Sequence, residues 1–206
     1  MPQPTDELIR LALDAAGRAH DLDLSNVAER CAPQLAEWVR LWPGEHYRLL
    51  AGLVDVLRPR LVIEIGTFQG QGSLALLDRL PGGSRVVTFD VIAWEEITDC
   101  ALSAGDFADG RLTQVIADLS HPEEFARHAD LLAEADLVFM DAPKDGVFEP
   151  AFLELALALW KGSRRVLVID DIRLMPMVQL WRDLPLAKLD VTSFGHWSGT
   201  GLAITS

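Results

Sequence analysis

Five short apolar runs govern how this chain can fold. LVIEI (61–65), RVVTFD (85–90), LTQVI (112–116), DLVFMD (136–141) and RVLVID (165–170) are rich in β-branched residues, and four of the five are nearly continuous in apolar side chains. Runs of that kind suit strands covered on both faces. Between them stand segments whose apolar residues recur at helical spacing: GSLALLDRL, AWEEITDCALSA, PEEFARHADLLAEA and FEPAFLELALALW. Strands alternating with helices predict βαβ units and an α/β sandwich, with helices on both faces of a mostly parallel sheet. Three helical patterns precede the first strand: ELIRLALDAAGRAH, VAERCAPQLAEWVRLW and GEHYRLLAGLVDVL. After a last short helix, MPMVQLWRDL, come KLDVTSFG and GLAIT, joined only by HWSGT. That connection is too short for a parallel crossover, so an antiparallel hairpin is expected.

The bulk numbers exclude several classes. With 206 residues, half of them hydrophobic, the chain suits one domain with a large core, and no run is long and apolar enough to span a bilayer. The opening MPQPTDELIR lacks the features of a secretory signal, and Cys31 and Cys100 show no metal-ligand spacing. A cytoplasmic protein with reduced thiols is expected. Lysine and arginine number 18 against 31 acids, for a net charge of −13. That balance argues against nucleic-acid binding, which needs a basic footprint.

In an open parallel sheet, ligands bind beyond the carboxyl ends of the strands. Acid stands at or beside each of the five ends: Glu64, Asp90, Asp118, Asp141 and the pair Asp170-Asp171. A single Asp there is commonly a turn or helix cap; five together point to a ligand. The first strand runs into EIGTFQGQGS (64–73), a glycine loop opening a helix. Gly66 suits a sharp turn, and Gly70 and Gly72 let backbone approach a ligand. A dinucleotide fingerprint can be laid on Gly70, Gly72 and Ala75, with Asp90 as its acidic partner, which would make the chain an NAD-dependent oxidoreductase. It puts the first glycine well past the strand end, and the single tyrosine, Tyr47, leaves no Tyr-x-x-x-Lys pair. The other frame is acid-x-Gly at the strand end, wrapping a small zwitterion. Asp90 is then placed to accept from ribose hydroxyls, and Asp118 from an adenine amino group.

EIGTFQG, TFD and ADLS together resemble the class I S-adenosylmethionine-dependent methyltransferases. The resemblance spans residues 43–206 and leaves 1–42 as a helical segment that lids the site or forms a dimer. It implies a Rossmann-like sandwich, a mostly parallel seven-stranded sheet with a C-terminal antiparallel hairpin. For the cofactor it implies contacts from Glu64, Gly66, Thr67, Phe68, Gly70, Gly72, Ser73, Asp90, Asp118 and Asp141, with Trp94 stacking on adenine. Phe68 stands where catechol and caffeoyl-CoA O-methyltransferases replace the middle glycine. DLVFMDAPKD resembles the fourth-strand motif of those enzymes, and VLVIDD their fifth-strand end, with Asp-Asp in place of the usual Asp-Asn. The Asp-Asp variant is similar to metal-dependent sugar O-methyltransferases of the macrocin and aminocoumarin group.

The resemblance thus implies S-adenosylmethionine as methyl donor and Mg²⁺ held by Asp141, Asp170 and Asp171. Three converging carboxylates would repel without a cation, and Mg²⁺ takes oxygen ligands. The implied reaction is O-methylation of a small hydroxylated acceptor, a sugar or glycoside first and a catechol or phenol next, by a homodimer. Lys144 is the base the catechol enzymes imply. In the sugar enzymes an acid two residues after the first metal Asp takes that part, and here Pro143 fills the place. His46, His196 and Asp141 complete the catalytic candidates, and Trp197 would face the acceptor. A catalytically inactive S-adenosylmethionine-binding protein is the remaining alternative.

Overall fold

The computed structural model describes residues 2–41 and 46–206. A seven-stranded sheet in the order β3-β2-β1-β4-β5-β7-β6 forms its centre. The strands are β1 (Leu61–Ile65), β2 (Arg85–Asp90), β3 (Leu112–Ile116), β4 (Leu137–Met140), β5 (Val166–Asp170), β6 (Ala187–Asp190) and β7 (Thr200–Ile204). β1 to β5 run parallel, and β7 pairs antiparallel with both β5 and β6. Every residue of β1, β4, β5 and β7 is buried. The edge strands β3 and β6 are mixed in burial, which is why LTQVI and KLD read as less apolar.

Because strand side chains alternate between faces, two cores form. On one face lie α1 (Asp6–Asp21), α2 (Ser25–Ala28), α3 (Pro33–Arg40), α4 (Tyr47–Leu57) and α5 (Gln71–Asp78), over Val62, Val86, Leu137, Phe139 and Val168. A short α6 (Ala104–Phe107) follows β2. On the other face lie α7 (Pro122–Arg127), α8 (Ala129–Ala133), α9 (Phe148–Leu159) and α10 (Met175–Asp183), over Ile63, Phe89, Val138, Met140 and Ile169. The same alternation turns Glu64, Thr88 and Asp170 towards α4 and α5, and it sets the position of the site.

α1 begins at Thr5, whose hydroxyl accepts from the Leu8 amide at 3.2 Å. Leu8, Leu11, Ala12 and Ala15 share a core with α4, so α1 is a layer of the sandwich as well as an N-terminal extension. Gly52 makes the close approach possible: a β-carbon there would strike the Ala15 carbonyl. Arg30 ties this layer to the chain after β2, donating to the Ala101 carbonyl and to Asp106, both at 2.8 Å.

Two expected helices come out differently. VAERCAPQLAEWVRLW is split, because Pro33 starts a new helix after a turn. AWEEITDCALSA is not helical: a 3₁₀ turn at Trp94–Glu96 leads into loop, with Asp99 left-handed at φ 58°. Trp160 is core, its indole N–H reaching the Leu132 carbonyl at 2.9 Å. Trp181 packs partly buried against the same cluster, whereas Trp38 is exposed. The sequence-based expectations for Trp42 and for the GE of GEHY fall outside the described residues. Among the described residues, no helix is long and apolar enough to cross a membrane.

Candidate active site

The turn after β1 is built by contact between strand ends. The Gly66 amide donates to the Phe89 carbonyl at 2.8 Å, and the Asp141 amide to the Ile65 carbonyl at 2.9 Å. Gly66 sits at φ 98°, and a β-carbon on it would overlap the Asp141 main chain. Only glycine suits both demands. Beyond this turn opens a cavity of about 640 Å³, whose walls include Gly66, Phe68, Asp90, Asp118, Asp141 and Lys144. Phe68 is left-handed at φ 42° and 61 % exposed, so its ring stands at the mouth.

Asp90 ends β2 and shapes the cavity wall. Its Oδ2 accepts from the Phe68 amide at 2.9 Å, and its Oδ1 from the Val91 amide at 2.7 Å. Those bonds fix the carboxylate, which lines the cavity with acceptor capacity to spare. Asp118 is held by Ser120, whose amide and hydroxyl donate at 2.9 and 2.6 Å, and lies 3.2 Å from His121 Nδ1. Burial works to raise Asp118, yet these partners hold it below the usual carboxylate value.

Other predicted cofactor residues do not line the cavity. Glu64 is buried in β1, accepting from the Ser73 hydroxyl, and burial pushes it up to about 8 against hydrogen bonds from Ser73 and Thr88. Gly72 lies against this carboxyl, where a β-carbon would strike it. Thr67 is buried with Thr88 at 2.8 Å and Gln114 at 3.1 Å. Gly70 caps α5 against Leu102. Trp94 stacks on Phe107, ring centres 5.3 Å apart, and stands apart from the cavity lining. These residues shape the loop from behind. The sequence reading missed Ser120, His121, Val147 and Phe148 in the lining; the first two stand two and three residues past Asp118 in ADLSH, which was the available signal.

Next to the cavity the predicted metal acids converge. Asp141, Asp170 and Asp171 each present an oxygen within 4.8 Å of the others. Alternation brings Asp141 and Asp170 to the α4 face, and Asp171, left-handed at φ 60°, turns back towards them. Lys144 lies among the three: its ammonium contacts Asp141 and lies 2.9 Å from Asp171 and 3.9 Å from Asp170. Its own backbone is left-handed at φ 57°, with the amide donating to buried Glu149 at 2.6 Å. Ser198, in the turn before β7, donates its hydroxyl to Asp171 and lies 2.6 Å from His196 Nδ1. His46, just ahead of α4, is 3 % exposed, with Nδ1 3.3 Å from Asp170 Oδ1 and Nε2 4.0 Å from Asp141. His196 Nδ1 lies 3.4 Å from both Asp170 and Asp171.

The charges set the proton affinities. Burial, then the charge of Asp170, raises Asp141. Burial also works to raise Asp170, but the charge of His46 and a hydrogen bond from His196 hold it well below the usual range. Asp171 is likewise lowered, by His196, Ser198 and Lys144 against burial. For Lys144, burial works downward and is outweighed by Asp141 and Asp170, which lift it above the ordinary lysine value. The ammonium of Lys144 is thus a counter-charge to the acids around it. The oxygen set itself fits a hard cation: three converging carboxylates, with Asp170 Oδ1 buried and making no hydrogen bond.

Residues 41–183 match the family described as O-methyltransferase. None of the curated proteins matches the chain in sequence. A methyltransferase from Geobacter sulfurreducens superposes with a TM-score of 0.62 at 20% identity, over 90% of this chain and 92% of that one. An O-methyltransferase from Bacillus cereus in complex with SAH gives 0.52 at 21% identity, over 98% and 92%. The oxidoreductase reading of the glycine loop falls with this match. The chain belongs to the O-methyltransferase family, and with it to the class I S-adenosylmethionine-dependent methyltransferases whose fold it has.

Proposed function

We propose that the protein transfers a methyl group from S-adenosylmethionine to a hydroxyl of a small acceptor, a sugar or glycoside, with Mg²⁺ at Asp141, Asp170 and Asp171. One observation carries the reading: the cavity holding Gly66, Asp90 and Asp118 also has Asp141 and Lys144 in its wall, so donor site and acid cluster share a border. The Bacillus cereus protein, similar in fold, was captured with SAH, the product such a cavity would release.

In the reaction the acceptor oxygen bonds to the sulfonium methyl carbon as the carbon–sulfur bond breaks, and that electron pair stays on sulfur. Asp90 would accept from the ribose hydroxyls and Asp118 from the adenine amino group. Phe68 would cover the donor and exclude water. When bound, the divalent ion supplies Lewis acidity that lowers the acceptor hydroxyl's pKa. Lys144, protonated, would orient the acceptor oxygen by hydrogen bonding. His196, whose Nδ1 lies 3.4 Å from Asp170 and Asp171, would take the proton. Alignment of oxygen, carbon and sulfur supplies much of the rate gain.

A phenolic acceptor is the second reading, favoured by exposed apolar residues: Val147 in the cavity wall, Met175 at the start of α10 and Trp197 beside His196. Exposed Leu13, Trp38 and Leu41 on the N-terminal layer support a homodimer, which light scattering would test. The functional test is methyl-donor turnover over sugars, glycosides and catechols, with Mg²⁺ and with EDTA. Turnover of a glycoside that EDTA abolishes and Asp170→Asn lowers by about 100-fold or more is expected. Absence of S-adenosylhomocysteine binding by calorimetry would end the reading.

A further inference from the structure

We propose that Gln114, on the edge strand β3, is a positioning residue for the methyl donor, its side-chain amide holding the turn after β1 and the chain after β2 at the spacing the donor needs. The inference rests on the methyl-transfer reading and adds to it a residue from a third strand that stands outside the cavity lining.

The Gln114 amide is engaged through its nitrogen and its oxygen. Nε2 donates to the Thr67 hydroxyl at 3.1 Å and to the Ile92 carbonyl at 3.2 Å, while Oε1 accepts from the Trp94 amide at 3.0 Å. A glutamine amide carries two hydrogens and one carbonyl, so this set uses both donors. Turned over, the amide would set its carbonyl against that of Ile92 and its N–H against that of Trp94. Because Nε2 can only donate, Thr67 accepts there and keeps its own hydrogen for Thr88 at 2.8 Å. Thr88 in turn donates to buried Glu64. A directed chain of bonds thus runs from β3 through the turn after β1 into the middle of the sheet.

The two anchored segments carry the cavity wall. Thr67 stands between Gly66 and Phe68, and Ile92 follows Val91; those three neighbours line the cavity. Between β2 and α6 the chain makes a single 3₁₀ turn and no strand or longer helix, so side-chain ties set where it lies. The Asp90 carboxylate holds its start, accepting from the Val91 and Ile92 amides at 2.7 and 3.1 Å. Gln69 Nε2 holds it further on, donating to the Thr98 carbonyl at 3.2 Å. Gln114 supplies the tie between them and, unlike those two, reaches in from a different strand. Its own backbone is fixed in the parallel ladder opposite Thr88, so the side chain is not needed to keep β3 in place.

The test is S-adenosylhomocysteine calorimetry on the full chain as wild type, Gln114→Leu and Gln114→Glu. Leucine fills similar space without hydrogen bonds, and glutamate keeps an acceptor for Trp94 but has no hydrogen for Thr67 or Ile92. Affinity should fall by about tenfold or more in both, since both lose the two donated bonds. The melting temperature without ligand should move by no more than about 4 °C. With an acceptor that gives turnover in the screen above, donor KM should rise by a similar factor while kcat at saturating donor falls much less. Hydrogen exchange across 91–97 should quicken by about fivefold or more in Gln114→Leu, where the Trp94 amide loses its acceptor. Should Gln114→Leu lose its fold by circular dichroism, Gln114→Glu, nearer in shape, decides. Wild-type affinity in the folded variants, a loss confined to kcat, or unchanged exchange across 91–97 would overturn the role of Gln114 and leave the methyl-transfer reading standing. Absence of S-adenosylhomocysteine binding by the wild type would sink that reading, and the role of Gln114 with it.

Discussion

Gly66 packs so closely on Asp141 that a β-carbon at the first would collide with the main chain of the second. The cofactor turn and the first acid of the cluster are therefore a single contact. Gly66→Ala has to move that contact and hold a left-handed backbone. It is expected to lower unfolding free energy by more than about 1 kcal/mol and to weaken S-adenosylhomocysteine binding together with turnover. Urea denaturation and calorimetry check both.

In the proposed reaction Asp90 would serve donor binding and take no part in the chemistry. Its carboxylate accepts from the Phe68 amide and lines the cavity. Asp90→Ala should raise the dissociation constant for S-adenosylhomocysteine by about 10- to 100-fold, as expected for charged hydrogen bonds worth about 1.5–3 kcal/mol. At saturating donor, kcat should change much less. A loss confined to kcat would contradict the assignment.

Glu64 gives a pH signature. Its folded value of about 8 lies above the ordinary 4.5, so the folded state keeps a proton that the unfolded chain releases. Its contribution to stability is whole below about pH 4.5, declines as pH rises, and levels off above about pH 8. Each unit of difference corresponds to roughly 1.4 kcal/mol. Glu64→Gln has no such proton to lose. The difference in unfolding free energy between Glu64→Gln and wild type should therefore shift in favour of the variant from pH 5 to pH 8. Parallel urea curves at several pH values measure it, and a flat difference would refute it.

Lys144 is the cluster's internal counter-charge. Lys144→Met leaves three acids facing one another. In EDTA the melting temperature should fall by several degrees, given that about 1 kcal/mol moves a domain of this size by roughly 2–4 °C. Millimolar Mg²⁺ should restore it, and Mg²⁺ affinity should tighten by about tenfold. Thermal unfolding with and without the ion reads both effects. Unchanged Mg²⁺ affinity would mean that the ammonium and the ion do not compete.

The strands were legible because burial on both faces leaves a local record, an unbroken apolar run that stops at an acid. LTQVI and KLD left a fainter one because each lies at a sheet edge. AWEEITDCALSA misled because its apolar residues dock on neighbours without helical hydrogen bonding: Trp94 on Phe107, Ala101 through its amide to the Gln69 carbonyl. Asp90, Asp118 and Asp141 could be read as cavity residues from their strand ends alone. That Glu64 turns inward to Ser73 could not, since an acid in a strand shows its face only once the register is known. Ser198 left no signal: its approach to Asp171 depends on how the chain folds back between β6 and β7.

β7 comes last along the chain but lies between β5 and β6. During synthesis β5 therefore keeps an open flank, and Asp170 and Asp171 lack the turn carrying His196 and Ser198, until residues 200–204 leave the ribosome. A nascent chain halted before that point would hold a nearly finished donor cavity next to an unassembled acid pair. Closure of the acid cluster thus depends on β7 entering the sheet between β5 and β6.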